Sequence, residues 1–280
     1  MTTMKIRSDA GPTAVDLETY DSQGDGRPVL LIHGWPLSGH AWRPQKDELE
    51  SAGYRVIAYD RRGFGDSDKP DDGYDYDTMA GDTKAIVDHL GLQNVVLVGF
   101  SMGGGEVARY VGRFGTDSLS GVVFASAVPP FLMKTDDNPD GGLGDADIEG
   151  MKKGLADDRS GFFETFSENF FTANGELRVD QSVVDDWRTL AADASTKAAL
   201  DCIDAFARTD FRTDLDAIDV PTLVIHGLGD ETVPFPVSGQ RTATVVQGAD
   251  LVTIENGPHG INDSHTAEFN QALLGFLGGL

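Results

Sequence analysis

Cysteine is nearly missing from this chain: Cys202 is the only one among 280 residues. A lone thiol closes no internal disulfide and builds no cysteine metal cluster. Long apolar runs are missing too. No stretch approaches the roughly 18 apolar residues that span a bilayer. The opening MTTMKIRSDAGP lacks the apolar region of a signal peptide. A cytoplasmic protein with no membrane partner is the expectation. Positive charge is scarce. Lysine and arginine total 22, only eight of them lysine, against 46 acids, for a formal net charge of −24. Such a surface repels nucleic acid and anionic membranes. The acids are not gathered in a tail; Asp145, Asp147, Glu149, Asp157, Asp158, Asp180, Asp185 and Asp186 punctuate otherwise ordinary stretches. Self-repulsion of this size weakens a compact state at low salt and is screened at high salt. The charge reads as a halophilic source with a salt-dependent fold, the alternative being an acidic mesophilic protein. Internal repeats and low-complexity segments are absent.

What is present is enough apolar material, 40% of residues, for a substantial core. The length suits one large α/β domain, or a core with an inserted lid. The organising stretch is Val95–Gly105, VVLVGFSMGGG. Val95 to Val98 form a buried-type strand, and Glu106 to Phe114 has helical spacing. Between them lies Gly99-Phe100-Ser101-Met102-Gly103, a G-x-S-x-G pattern. A strand that turns sharply into a helix around a serine is a nucleophile elbow. The serine is expected at positive φ, and side chains at the flanking glycines would collide with neighbouring backbone. Ser101 would also stand at a helix N-terminus, where free N–H groups favour developing negative charge.

Strand and helix patterns alternate along most of the chain. Met4–Arg7, Val15–Tyr20, Val29–Ile32, Arg55–Tyr59, Leu119–Ala127, Thr222–His226 and Asp250–Ile254 read as further strands. Val15–Tyr20 alternates apolar and polar residues, as a half-solvated edge does. Helical spacing covers His40–Ser51, Tyr76–Leu90, Pro236–Val246 and His265–Leu277. This order implies a mostly parallel sheet with right-handed crossovers, an α/β fold with helices on both faces. It breaks at Val128-Pro129-Pro130. From there to about Asp210 only helical patches occur, over Ile148–Leu155, Ser160–Phe170, Ser182–Ala192 and Thr196–Ala207. Residues 128–211 are therefore expected to form a helical cap inserted into a core made of 1–127 and 212–280.

Acyl transfer needs a nucleophile, a base, a group that orients the base, and oxyanion donors. Ser101, Asp230 and His259 each lie just past the C-terminal end of an expected parallel strand, the edge where open α/β sheets bind ligands. Their chain order, Ser then Asp then His, is that of an α/β-hydrolase triad. His259 alone among six histidines follows the final strand. His33 is expected to fix the adjacent turn by hydrogen bonds, and His226 to be structural. His40, His89 and His265 fall on helices. Asp60 also ends a strand, but reads as an anchor for Arg61 or Arg62. The oxyanion donors would be the backbone N–H groups of Met102 and Trp35. Pro36 restricts the Trp35 carbonyl, which either faces the acyl pocket or simply belongs to a stiffened turn. Pocket candidates are Pro36, Phe100, Val128, Phe131, Phe162, Val233 and Ile261.

The stretches IHGWPLSGHAW, YDRRGFGDSDKP, YDYDTMAGD, VGFSMGGGEVARYV, SAVPPFLMKTDDNPDG, DCIDAFARTDFRTDL and GPHG resemble the cofactor-free haloperoxidase, perhydrolase and aryl esterase family of the α/β-hydrolase fold. The resemblance implies a Ser101–Asp230–His259 triad, an oxyanion hole at Trp35 and Met102, and esterase action on small esters. It also implies peracid formation from a carboxylic acid and hydrogen peroxide, followed by halide oxidation without haem or metal. Pro36 matches the perhydrolase-prone form of the motif. Two departures stand out. The family's G-D-x-D turn reads Gly227-Leu228-Gly229-Asp230 here, and Ile261-Asn262-Asp263-Ser264 replaces a more apolar run. A lactamase or C–C hydrolase on the same fold, and a catalytically idle binding protein, are the rival readings. A serine nucleophile argues against the carboxylate chemistry of dehalogenases and epoxide hydrolases. Homo-oligomerisation is left open.

Overall fold

The computed structural model describes residues 1–280. Strands β1 (Thr2–Ser8) and β2 (Val15–Asp21) form a hairpin. Then follow β3 (Pro28–Ile32), a 3₁₀ turn at Gly39–Trp42, α1 (Arg43–Ser51), β4 (Arg55–Tyr59), α2 (Tyr76–His89), β5 (Val95–Phe100), α3 (Met102–Phe114) and β6 (Leu119–Ala125). The chain next leaves the sheet for α4 (Asp145–Asp157), α5 (Arg159–Phe171), the two-residue strands β7 (Thr172–Ala173) and β8 (Glu176–Leu177), α6 (Gln181–Ala192) and α7 (Thr196–Arg208). It returns through α8 (Arg212–Leu215) to β9 (Thr222–Gly227), α9 (Gly239–Val245), β10 (Asp250–Ile254), α10 (Ile261–Ser264) and α11 (Thr266–Gly279). The eight-stranded sheet runs β1-β2-β4-β3-β5-β6-β9-β10, antiparallel at β1–β2–β4 and parallel elsewhere. No helix is long and apolar enough to cross a membrane.

The central strands are apolar because they are covered on both faces. Val29–Ile32 and Val95–Val98 are wholly buried in one continuous core. Helix α3 starts at Met102, earlier than the spacing from Glu106 suggests. Gly103, Gly104 and Gly105 have weak helical propensity but let the helix lie hard against the sheet. A Cβ on Gly103 would strike the Ile32 carbonyl, and one on Gly99 the Gly103 carbonyl.

Two expectations fail here for the same reason: buried polar groups find partners. Strand β2 is not a half-solvated edge; it lies between β1 and β4. The Glu18 backbone N–H donates to Ser67 Oγ at 2.8 Å, and Asp21 accepts two hydrogen bonds from Arg55. Asp60 anchors neither Arg61 nor Arg62. It accepts from the backbone N–H groups of Gly39 and Asp66, both at 2.8 Å, and from the Tyr20 hydroxyl at 3.0 Å. Arg62 pairs with Asp82 at 2.6 Å and Arg61 with Glu106, all four side chains inaccessible to solvent.

Candidate active site

Ser101 sits between β5 and α3 at φ 55°, ψ −118°, a conformation held by its surroundings. Its N–H donates to the Ala125 carbonyl at 2.9 Å, while its own carbonyl accepts from Gly104 and Val128. Asp230 follows β9. Leu228, which stands where a polar residue is usual, is exposed and leaves the turn intact. Backbone bonds from Leu228 N–H to Ile254 and from Gly229 N–H to Gly257, both 2.9 Å, hold it instead. His259 follows β10, and the next N–H, of Gly260, donates to the Phe170 carbonyl at 3.0 Å.

These three strand ends bring their side chains into one line. His259 Nε2 is 2.8 Å from Ser101 Oγ, and Nδ1 is 2.7 Å from Asp230 Oδ2. A carboxylate only accepts, so Nδ1 carries a proton and Nε2 is free to take the serine's. The imidazole ring lies between Phe100, at 5.2 Å, and Phe170, at 4.8 Å between centroids. All three polar side chains are buried. Burial alone would raise the pKa of Asp230. The His259 charge and hydrogen bonds from His226 and His259 outweigh it and hold the carboxyl below the usual carboxylate range.

The loop after β3 faces Ser101. The Trp35 backbone N–H donates to no protein acceptor, and as the first helical residue Met102 has no intrahelical acceptor for its N–H. His33 fixes this loop: Nδ1 bonds the Gly34 carbonyl at 2.8 Å, and Nε2 accepts the Arg61 backbone N–H at 3.0 Å. Burial, and then the nearby Arg61 charge, push the His33 pKa well below the ordinary value, so the ring is neutral as this pattern requires. The Trp35–Pro36 peptide is cis. The Trp35 ring reaches away from the sheet. Its Nε1 donates to the Ala199 carbonyl of α7 at 3.0 Å, and its edges and faces meet Phe163, Phe166 and Phe206.

A cavity of about 290 Å³ opens over Ser101 and His259. Trp35, Val128 and Val233 line it, and so do Leu132, Leu143, Met151, Phe166, Phe206, Asn169, Thr232 and Glu231. Pro36, Phe100, Phe131, Phe162 and Ile261 are not on its wall, and each has a packing reason. Phe100 lies against His259 and Phe170, and Phe162 stacks on Phe166 at 5.8 Å. Phe131 lies under the Arg212 guanidinium. Ile261 is wholly buried, and Pro36 is buried in its turn. No group of three or more His, Cys, Asp or Glu side chains is placed to hold a metal ion. A hydroxyl relayed to an imidazole and a carboxylate, beside two backbone donors and under an apolar cavity, is equipped for acyl transfer.

Comparison with known proteins shows the family. Residues 27–266 match the family described as the alpha/beta hydrolase fold. The chain is 44% identical over 261 residues to the non-heme chloroperoxidase CPO-A1 of Kitasatospora aureofaciens, covering 92% of this chain and 94% of that one. It is 39% identical over 266 residues to the bifunctional esterase/perhydrolase DCH of Acinetobacter calcoaceticus, covering 94% and 96%. The solved structure of a bromoperoxidase from Bacillus anthracis superposes with a TM-score of 0.95 at 49% identity, covering 99% of this chain and all of that one.

Proposed function

Because this chain belongs to the alpha/beta hydrolase fold family, we propose that it cleaves small carboxylic esters through an acyl-enzyme on Ser101, with perhydrolysis as a second outcome. The observation that carries this reading is the continuous relay from Ser101 Oγ to His259 Nε2 and from His259 Nδ1 to Asp230 Oδ2. His259 takes the serine proton as Oγ attacks the ester carbonyl. The tetrahedral oxyanion is met by the N–H groups of Trp35 and Met102, each worth on the order of 3 kcal/mol. Asp230 keeps the ring in its tautomer and stabilises the imidazolium. The imidazolium then protonates the departing alkoxide or phenoxide. In deacylation His259 takes a proton from water, giving the acid, or from hydrogen peroxide, giving the peracid. The peracid oxidises halide away from the serine and returns the carboxylic acid. Trp35, Val128, Val233 and the apolar side chains from α4, α5 and α7 surround the acyl group. Residues 128–211 serve as the cap over it.

The test is direct. Ser101→Ala is expected to lose ester hydrolysis by on the order of 10⁵-fold and to lose bromination in acetate and peroxide with it. A fluorophosphonate probe should label the parent protein and not the variant. Bromination that survives Ser101→Ala, or that a chelator abolishes, overturns the reading.

A further inference from the structure

The carboxylate that faces His259 faces a second imidazole as well. His226 lies on β9 and is inaccessible to solvent. Its Nε2 is 2.8 Å from the Val233 carbonyl and 3.3 Å from Asp230 Oδ2. A carbonyl can only accept, so the proton is on Nε2; that N–H is given to Val233, and it lies beside Asp230 Oδ2. Nδ1 bonds to nothing. It abuts the Cα of Gly239, where a Cβ would collide with it. Phe235 packs on the same ring at 5.5 Å. Asp230 is correspondingly saturated. Oδ1 accepts from the backbone N–H groups of Thr232 at 2.9 Å and Val233 at 2.8 Å, and Oδ2 accepts from His259 with the His226 Nε2 3.3 Å away.

We infer that His226 is a positioning residue for the Asp230–His259 pair: its Nε2–H, 3.3 Å from the oxygen that His259 also uses, holds that carboxylate electrostatically and takes up part of its basicity. The inference rests on the reading of Ser101, His259 and Asp230 as one catalytic unit. Two features favour positioning over simple packing. The N–H lies beside the oxygen that accepts from His259, not beside Oδ1, which Thr232 and Val233 occupy. It is also tied to Val233, which lines the cavity, so carboxylate, turn and cavity wall are held by one ring. Without this N–H nearby, Oδ2 keeps its full negative charge for His259. The imidazolium is then held more tightly, and the base is freed only at higher pH. The titratable groups around His259 are Asp230, His226 beyond it, and Glu231 on the cavity wall. Phe100 and Phe170, which flank the ring, add none.

Two substitutions in the full chain test this, with kcat and KM for p-nitrophenyl acetate followed from acid to alkaline pH. His226→Leu removes the donor; His226→Gln keeps an N–H at similar reach. The leucine variant should lose about tenfold in kcat with KM unchanged, and the acidic limb of its kcat profile should move up by about one pH unit. The glutamine variant should recover most of both. A limb that stays in place in a folded leucine variant, or a folded glutamine variant that recovers nothing, overturns the inference. Should the leucine variant fail to fold, ¹⁵N-histidine spectra of the unaltered protein decide: His226 must show a protonated Nε2 and a bare Nδ1, and the opposite tautomer overturns it. Fluorophosphonate labelling separates the two levels. No labelling of Ser101 in the unaltered protein removes the underlying reading, whereas intact labelling with an unmoved limb removes only the role of His226.

Discussion

The two walls of the cavity are made by different means. On the sheet side, Ser101, His259, Val128 and Val233 stand just beyond strand ends, held by backbone hydrogen bonds and backed by ion pairs with no solvent access. On the other side, Met151, Phe166 and Phe206 come from three helices, which meet the sheet side through the Trp35 ring and through Phe170 against Phe100 and His259. The ion pairs of those helices lie in water: Arg208 with Asp145, Asp204 and Glu149, Arg188 with Glu168, Lys197 with Asp201. The same chemistry, a cation beside a carboxylate, is buried in one place and open to water in the other. The reacting atoms belong to the wall with the buried pairs, and much of the pocket's shape belongs to the wall with the exposed ones.

The difference should be largest in stability. Glu106 accepts from Arg61 and, at 2.6 Å, from the Tyr59 hydroxyl, and Arg61 in turn donates to the His33 carbonyl at 2.7 Å. Glu106→Gln leaves a buried guanidinium without its counter-charge, and urea unfolding should register a loss of about 3–5 kcal/mol. Arg208→Gln breaks three pairs at the surface and should cost less than about 1 kcal/mol. Equal losses would erase the contrast. The next effect is on selectivity. Met151→Phe narrows the cavity from the helical side and should lower kcat/KM for a long acyl ester about tenfold relative to the acetate, leaving the acetate rate and the pH profile in place. A matching fall for acetate would mean that the helical wall also positions the chemistry.

The contrast also explains what could be read from the chain before folding. Ser101, Asp230 and His259 were legible because each ends a short apolar run and stands among glycines, a pattern that strand geometry turns directly into position. The pocket was not. Helix α5 carries Phe162, Phe163, Phe166, Phe170 and Phe171, aromatics on more than one face, so spacing alone does not say which one looks inward. Phe166 does, because Trp35 meets it face to edge at 5.3 Å and Phe162 stacks behind it. Leu132 and Leu143 reach the wall because two distant loop segments join, the Leu143 N–H donating to the Leu132 carbonyl at 2.9 Å. No local pattern announces such a contact. Asp60 and strand β2 were misread for a related reason: partners for polar groups arrive from elsewhere in the chain.

A smaller effect lies at the junction of the two walls. Asp263 on α10 is pushed up to about 7 by burial, a bond from Asn262 opposing the shift and the charge of Asp186 on α6 adding to it. A carboxyl raised in the folded state holds its proton there after the unfolded chain has lost it. Stability therefore falls as pH climbs from about 4 to about 7, and levels off above that. Asp263→Asn should remove this slope and gain about 1 kcal/mol in mild alkali, with no gain in acid; solvent reaching part of the side chain limits the gain. A variant no more stable than the parent in alkali would show that Asp263 ionises freely.

The smallest effect is expected from salt, and it tests the contrast region by region. Residues 128–211 hold 18 acids against eight basic residues, a higher density of excess negative charge than the rest of the chain. Two opposed terms respond to salt there. Screening weakens the exposed pairs, each worth a few tenths of a kcal/mol, and it also weakens repulsion among acids that have no partner. Acids outnumber bases by more than two to one, so the second term prevails and added KCl should tighten these helices. The buried pairs Arg61–Glu106 and Arg62–Asp82 lie beyond the reach of mobile ions. Amide exchange should therefore slow in α4 to α7 as KCl rises, and change little in β3, β5 and β6. Most of the slowing should come early, as the screening length falls from about 30 Å at 0.01 M to about 8 Å at 0.15 M. A general strengthening of apolar burial by salt would instead grow steadily to molar concentration and protect both regions alike. That outcome would sink the idea that charge, rather than packing, sets the stability of the helical wall.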